Sequence, residues 1–311
     1  MKLVLFQFQE NGDVLPGLLT DRGVVNIVEV VKLDYTPQLT IEGIIDDFEN
    51  LRPSLERLVE GKAMPLDEVR LHPPLPHPGK ILACIGNYWE HQQREPKPLN
   101  LFLKSPDAVI GPGDTIMLPE FTEPWIFMHE AELALVIKGP AKKISQKDWQ
   151  SAVFGYTCLI DVSAREEGRR TWRARSWLGK SFDTFAPIGP CITTADEIPE
   201  PNDLHVMFWN NGQLRHNYNT DDMEHRIPEI IEFVTTFMTL NTGDVIACGT
   251  NHEGLGALQD GEVVEMEIEG IGRMSLNVVD PLKRSWERGI YMGVDSTNPE
   301  AVQRYRPKNA G

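Results

Sequence analysis

Two carboxylates on one partly apolar strand face constrain this chain more than any other feature. The stretch WIFMHEAELALVIKG is apolar and partly β-branched, and it reads as a strand. Side chains alternate faces along a strand, so Glu130 and Glu132 point the same way. That face continues with Ala134 and Val136, which are core-like residues. Carboxylates there are costly unless a partner neutralises them. A hard divalent cation, which takes carboxylate oxygens, is the natural partner. Asp161 follows another apolar run, GYTCLI, and is a candidate third ligand. The competing reading is a strand edge with solvated glutamates, and spacing alone leaves both open.

Charge and cysteine usage narrow the setting. The 30 Lys and Arg against 46 Asp and Glu give a net charge of −16. Such a balance argues against nucleic acid and anionic membranes as partners. The four cysteines, Cys84, Cys158, Cys191 and Cys248, are scattered, with no CxxC pair and no zinc spacing. A reduced, cytoplasmic setting is the simplest expectation. The opening MKLVLFQFQENGD has a short apolar run and no cleavage site, so no signal peptide is expected. No stretch approaches the roughly 20 apolar residues of a membrane span.

Chain organisation suggests a small N-terminal α/β domain over 1–74, a larger domain over 75–281 and a tail over 282–311. In the first, LVLFQFQ and GVVNIVEVV read as strands around the turn NGDVLPG. A helical pattern follows, with Ile41, Ile44, Ile45 and Phe48, then Leu51, Leu55 and Leu58. The proline-dense LHPPLPHPGK reads as a stiff linker. Beyond it the pattern is strand-rich. KILACIG reads as a buried strand, and SQKDWQSAVFG as a short helix with Ser145 as N-cap. DMEHRIPEIIEFVTTFMTL carries an apolar stripe of Ile227, Ile230, Ile231, Val234 and Phe237 or Met238. EVVEMEIEGIG alternates, with Val264, Met266 and Ile268 inward and Glu265, Glu267 and Glu269 on a solvated face. No βαβ unit repeats, which favours an α+β, mostly β architecture.

Common catalytic signatures are missing. There is no GxSxG elbow and no HExxH helix. Gly179-Lys180-Ser181 ends like a phosphate loop, but position 174 is Ala where glycine is needed.

The remaining motifs are GNYWEH (86–91), HEAEL (129–133), DVSAR (161–165), GKSFDTFAPIGP (179–190), NNGQLRHNYNT (210–220), TLNTGDVIACGT (239–250) and EIEGIGR (267–273). In order and spacing they resemble the fumarylacetoacetate hydrolase family over about residues 80 to 281. The resemblance implies a mixed β-roll catalytic domain, a homodimer, and Mg²⁺, Mn²⁺ or Ca²⁺ held by Glu130, Glu132 and Asp161. It also implies an active-site lysine at Lys180, and Arg165, Thr250 and Asn251 near the substrate carboxylate. His91 matches a lid histidine able to activate water. Arg165 begins an arginine run through Arg169, Arg170, Arg173 and Arg175; carboxylate recognition is one reading of it, and for the later four a solvated or dimer-facing loop is the favoured one.

The chain departs from that pattern twice. Many members carry a glutamate three residues after the lid histidine, where this chain has Arg94. Glu95, one residue further on, has the i, i+4 spacing from His91 of a helical turn, which Pro96 and Pro98 would stop. Asn251-His252-Glu253 replaces a proline-containing turn, and His252 or Glu253 either supplies an acid–base group or rebuilds a loop. The leading expectation is hydrolysis of a C–C bond in a β-diketo acid such as an acylpyruvate, with His91 and Glu95 deprotonating water. The alternatives are isomerisation or decarboxylation of 2-oxo or β-keto acids, and non-catalytic binding of an oxo-acid.

Overall fold

The computed structural model describes residues 1–8, 12–90, 95–122, 126–165 and 177–286. The N-terminal elements are β1 (Lys2–Gln7), β2 (Leu15–Thr20), β3 (Gly23–Asn26), α1 (Pro37–Asp46), α2 (Phe48–Val59) and β4 (Arg70–His72). Next come β5 (Ile81–Cys84), β6 (Leu101–Lys104), β7 (Val109–Ile110), β8 (Thr115–Met117) and β9 (Ile126–Met128). They are followed by β10 (Ala131–Ile137), β11 (Val153–Ile160), β12 (Ser163–Arg165) and β13 (Ala186–Thr194). The last third holds β14 (His205–Asn210), β15 (Gln213–Asn219), α3 (Ile227–Phe237), β16 (Val245–Ala247), β17 (Val263–Ile268) and β18 (Gly272–Val279).

One large sheet runs β3-β2-β1-β13-β11-β10-β16-β5-β6, with β4 beside β1 and β7 beside β13. A second runs β15-β14-β17-β18-β8, and β9 pairs with β12. Parallel and antiparallel neighbours coexist, so the architecture is the mixed, mostly β α+β fold expected. β10, β11 and β13 are buried along their whole length. Strands covered on both faces read as continuous apolar runs, as VFGYTCLI does. β17 keeps one face open, with Val264, Met266 and Ile268 buried and Glu265 and Glu267 part-exposed.

The N-terminal strands join the large sheet through β1, whose Lys2 and Leu3 pair with Thr193 and Ile192. Arg52 of α2 meets Asp196 at 2.7 Å beyond the end of β13. α3 buries Ile227, Ile230, Ile231 and Val234 as its stripe requires, while Phe237 is exposed and Met238 packs on the core.

Four local expectations change. The apolar end of NGDVLPG enters β2, because Leu15 to Leu18 pair with β1. β3 stops at Asn26, whose side-chain carbonyl accepts the Val28 N–H at 2.9 Å and turns the chain. The pattern over 41–58 is two helices, broken at Asp47. Gln146–Ala152 is a 3₁₀ segment, and the Ser145 hydroxyl donates to Asp148 Oδ2 at 2.7 Å instead of capping the backbone. Among the described residues no helix is long and apolar enough to cross a membrane.

β10 is an interior strand of the large sheet, and its Leu135 is fully buried between Tyr156 of β11 and Ile246 of β16. Leu135→Ala is expected to cost about 2–5 kcal/mol through lost transfer energy and a residual cavity. Chemical denaturation of both proteins checks it through the shift in midpoint at unchanged slope.

Candidate active site

Register alone brings the carboxylates together. In the β10–β11 pair Ala131 faces Ile160 and Glu132 faces Leu159. One step further Glu130 stands opposite Asp161, and the Asp161 N–H donates to the Glu130 carbonyl at 2.8 Å. Opposed residues share a face, and so do residues two apart. Glu130, Glu132 and Asp161 therefore converge, with one oxygen of each within 4.8 Å of the others. They are 5%, 1% and 0% exposed, which overturns the solvated-edge reading.

Three cations meet this buried charge. Lys180 Nζ lies 2.8 Å from Glu130 Oε2 and 2.5 Å from Asp161 Oδ2, and donates to Ser163 Oγ at 2.7 Å. Arg165, at the end of β12, donates from Nη2 to Glu130 Oε1 at 2.6 Å. Lys104 donates to Asp161 Oδ1 at 2.6 Å and to the backbone carbonyl of Lys180. Burial raises the Glu130 carboxyl, but Lys180 and then Arg165 outweigh it and hold Glu130 low. Burial likewise opposes the charged form of Lys180, yet Asp161 and Glu130 raise it above the ordinary lysine value. For Lys104 burial wins and the ammonium is pushed down, with Asp161 opposing.

Glu132 is the exception. It receives the Gly249 N–H on Oε2 at 2.7 Å, and no lysine or arginine bonds it directly among the described residues. Burial first, then the charges of Asp161 and Glu130, push its pKa well above the ordinary value. A buried all-oxygen trio with one carboxylate short of a cation fits a hard divalent ion. The donor comes from sheet topology too, since β16 runs antiparallel to β10 and continues into Gly249 beside Glu132. Gly249 has φ +87, and a Cβ there would sit 3.1 Å from Asn87 Cβ, so the tight turn needs glycine.

The other expected residues are distributed unevenly. Thr250 is buried in the same turn, its hydroxyl donating to the Asn251 carbonyl at 3.2 Å. Asn251 is committed to the loop, donating to Asp222 Oδ2 at 3.0 Å and accepting the Glu253 N–H at 2.8 Å. Glu95 is exposed, among the described residues no hydrogen bond joins it to the carboxylates, and the turn expected from His91 to Glu95 lies outside the described residues apart from Glu95 itself. His91, Arg94 and the arginines at 169, 170, 173 and 175 lie outside the described residues.

Sequence reasoning missed Lys104, Ser163, the His129–His216 pair, and Glu90 as the partner of His252, a histidine it had singled out. Lys104 shares its strand phase with buried Phe102, and that phase was the available signal. Phe102 also carries Lys180 over its ring at 5.3 Å. Behind Glu130, His129 Nδ1 meets His216 Nε2 at 3.1 Å, and His129 stacks on Phe208. Burial lowers both imidazoles, His216 to about 4. The second pair, Glu90 with His252, is treated below.

Two expectations follow. Lys104→Met strands Asp161 without its fully buried partner and should cost about 3–5 kcal/mol of stability, read as a lower midpoint in denaturant. Glu132→Gln should abolish Mn²⁺ binding in calorimetry and make the metal-free protein more stable than wild type at pH 7. A carboxyl raised on folding has its stability contribution in full below the unfolded value near 4.5 and loses it as pH rises through the folded value. The two metal-free proteins should therefore converge in stability as pH falls below about 4.5.

Residues 80–279 match the family model described as fumarylacetoacetate (FAA) hydrolase C-terminal. The mitochondrial oxaloacetate tautomerase of Xenopus laevis is 34% identical over 297 residues, 90% of this chain and 90% of the relative. The crystal structure of maleylpyruvate hydrolase from Sphingobium sp. SYK-6, in complex with manganese(II) and pyruvate, is similar with a TM-score of 0.79. It is 34% identical and covers 90% of this chain and 99% of its own. A 5-carboxymethyl-2-hydroxymuconate delta-isomerase from Mycobacterium smegmatis is similar at TM-score 0.70 and 31% identity, over 90% of this chain and 99% of its own.

Proposed function

This chain belongs to the fumarylacetoacetate hydrolase family, and on that premise we propose that it is a divalent-metal-dependent enzyme hydrolysing a C–C bond in a β-diketo acid of the acylpyruvate class. The observation that carries this is Glu132, a buried carboxylate beside two others and without a cation of its own. Glu130, Glu132 and Asp161 would hold the ion, with Mg²⁺, Mn²⁺ and Ca²⁺ all suited to oxygen donors. When bound, it supplies a Lewis acid for the paired oxygens of a 2-oxo acid.

The protein's own charges set the rest. Three carboxylates face Lys104, Lys180 and Arg165, so the cluster is neutral by itself and turns positive with a divalent ion. A positive, largely dry site suits an anionic substrate and the enolate that leaves on cleavage. On this reading Lys180, whose Nζ lies against Glu130 and Asp161, would meet that charge. Arg165 holds Glu130 through Nη2, and its buried Nε has no partner among the described residues. That donor is suited to a substrate carboxylate, and Thr250 and Asn251 form the neighbouring turn.

Hydrolysis is favoured by the likeness to the maleylpyruvate hydrolase, whose bound pyruvate is the kind of product that acylpyruvate cleavage releases. A second reading, tautomerisation of the same chelating class, is favoured by the oxaloacetate tautomerase that matches 90% of both chains. Four free, buried cysteines support a cytoplasmic setting. Exposed Leu103, Phe121 and Leu178 support a homodimer.

The test is ultraviolet absorbance of a panel of acylpyruvates and 2-oxo-dienoates with Mn²⁺ or Mg²⁺, and again with EDTA. Metal-dependent loss of the β-diketo band with release of two acids is the expected outcome. A shifted double bond without cleavage assigns the tautomerase reading, and full activity in EDTA overturns both.

A further inference from the structure

Two loops leave the large sheet side by side. β5 and β16 are parallel, with Ala83 beside Ala247. Parallel neighbours exit at the same end, so the segments that follow them meet. Asn87 ties them together, donating to the Cys248 carbonyl at 2.9 Å and the His225 carbonyl at 3.0 Å. Glu90 stands at the end of the first segment and His252 in the second. Glu90 Oε1 lies 2.5 Å from His252 Nδ1, with the Glu90 side chain 0% and the imidazole 18% exposed.

The backbone is shaped to make this contact. Glu90 has φ 50, in the left-handed region that side-chain-bearing residues rarely adopt. Its N–H is held by Asp222 Oδ2 at 2.9 Å, and the same carboxylate oxygen takes the Asn251 amide at 3.0 Å. Asp222 thereby locks both halves of the pair, and strain retained where the surroundings over-determine it is a mark of function. The turn that carries His252 also carries Gly249, whose N–H donates to Glu132 Oε2 at 2.7 Å, so one turn holds both the pair and a donor to the carboxylates.

Resting on the oxo-acid chemistry above, we propose that His252 is the residue that moves the substrate's proton and that Glu90 positions it. A carboxylate on Nδ1 keeps the proton there and makes Nε2 the basic nitrogen. Nε2 takes a proton from water as the hydroxyl oxygen bonds to the acyl carbonyl carbon. The C–C bond then breaks, its electron pair leaving with the 2-oxo-acid fragment as an enolate. The enolate carbon takes the proton back from Nε2, so acid and 2-oxo acid are released and the imidazole is regenerated. Tautomerisation uses the same nitrogen, with the proton drawn from the carbon between the carbonyls and returned elsewhere.

The experiment compares wild type, His252→Gln, His252→Ala, Glu90→Gln and His91→Gln as full chains with Mn²⁺. For His252→Gln the expectation is a kcat lower by roughly 10²–10⁴-fold, with KM and calorimetric Mn²⁺ affinity within about threefold of wild type. Added imidazole should restore part of the rate to His252→Ala, which a merely structural histidine would not show. In the metal-free protein a downfield proton resonance from His252 Nδ1–H should be present and should vanish in Glu90→Gln. Wild-type turnover with an unchanged kcat in His252→Gln, or a comparable imidazole-rescuable loss confined to the His91 variant, overturns this inference alone. Wild type inert toward the whole panel while it binds Mn²⁺ overturns the hydrolase and tautomerase readings, and the role of His252 with them.

Discussion

Burying three carboxylates in one place is the constraint on which the site depends. An isolated ionised carboxylate in an apolar interior is untenable, so each must find a cation or stay protonated. Lys104, Lys180 and Arg165 arrive from three separate parts of the chain, β6, the segment before β13, and the end of β12. Two of the carboxylates are directly paired by them and the third is not. The imbalance is local: Glu132 sits where β10 meets the turn after β16, and the nearest donor there is a backbone N–H. A site that a further cation would complete follows from that placement.

The same geometry explains what could be read from sequence. Glu130 and Glu132 were legible because strand alternation is a property of neighbours, and Asp161 because it ends an apolar run. Their convergence follows from a single antiparallel register, a short-range pairing of consecutive strands. Lys104 was not read because its partner lies on a strand far along the chain, and a lysine on a four-residue strand looks like a solvated end. Glu90 and His252 are harder still. They meet because β5 and β16 are parallel, and parallel pairing between distant segments leaves no periodic trace in either.

Local turn chemistry yields where a strand partner is at hand. NGDVLPG looked like a turn because of its Asn, Gly and Pro, although Pro16 and Gly17 serve as ladder residues of β2. There the turn rule is outweighed by hairpin pairing with β1.

Hydrolysis and tautomerisation of an oxo-acid both develop an enolate and both need it stabilised, so the carboxylate–lysine cluster serves either. The two differ in whether water reaches the acyl carbon and in which atom receives the proton. Those choices belong to whatever stands over the cluster. Here the sheet delivers the segment ending at Glu90 and the turn at 249–253 to that position, clamped by Asp222 and Asn87. A rigid floor with variable loops at one sheet end is a general way for one fold to host several reactions. By this logic, the replacement of a proline-containing turn by Asn251-His252-Glu253 bears on which reaction the chain performs, while the floor bears on whether it performs any.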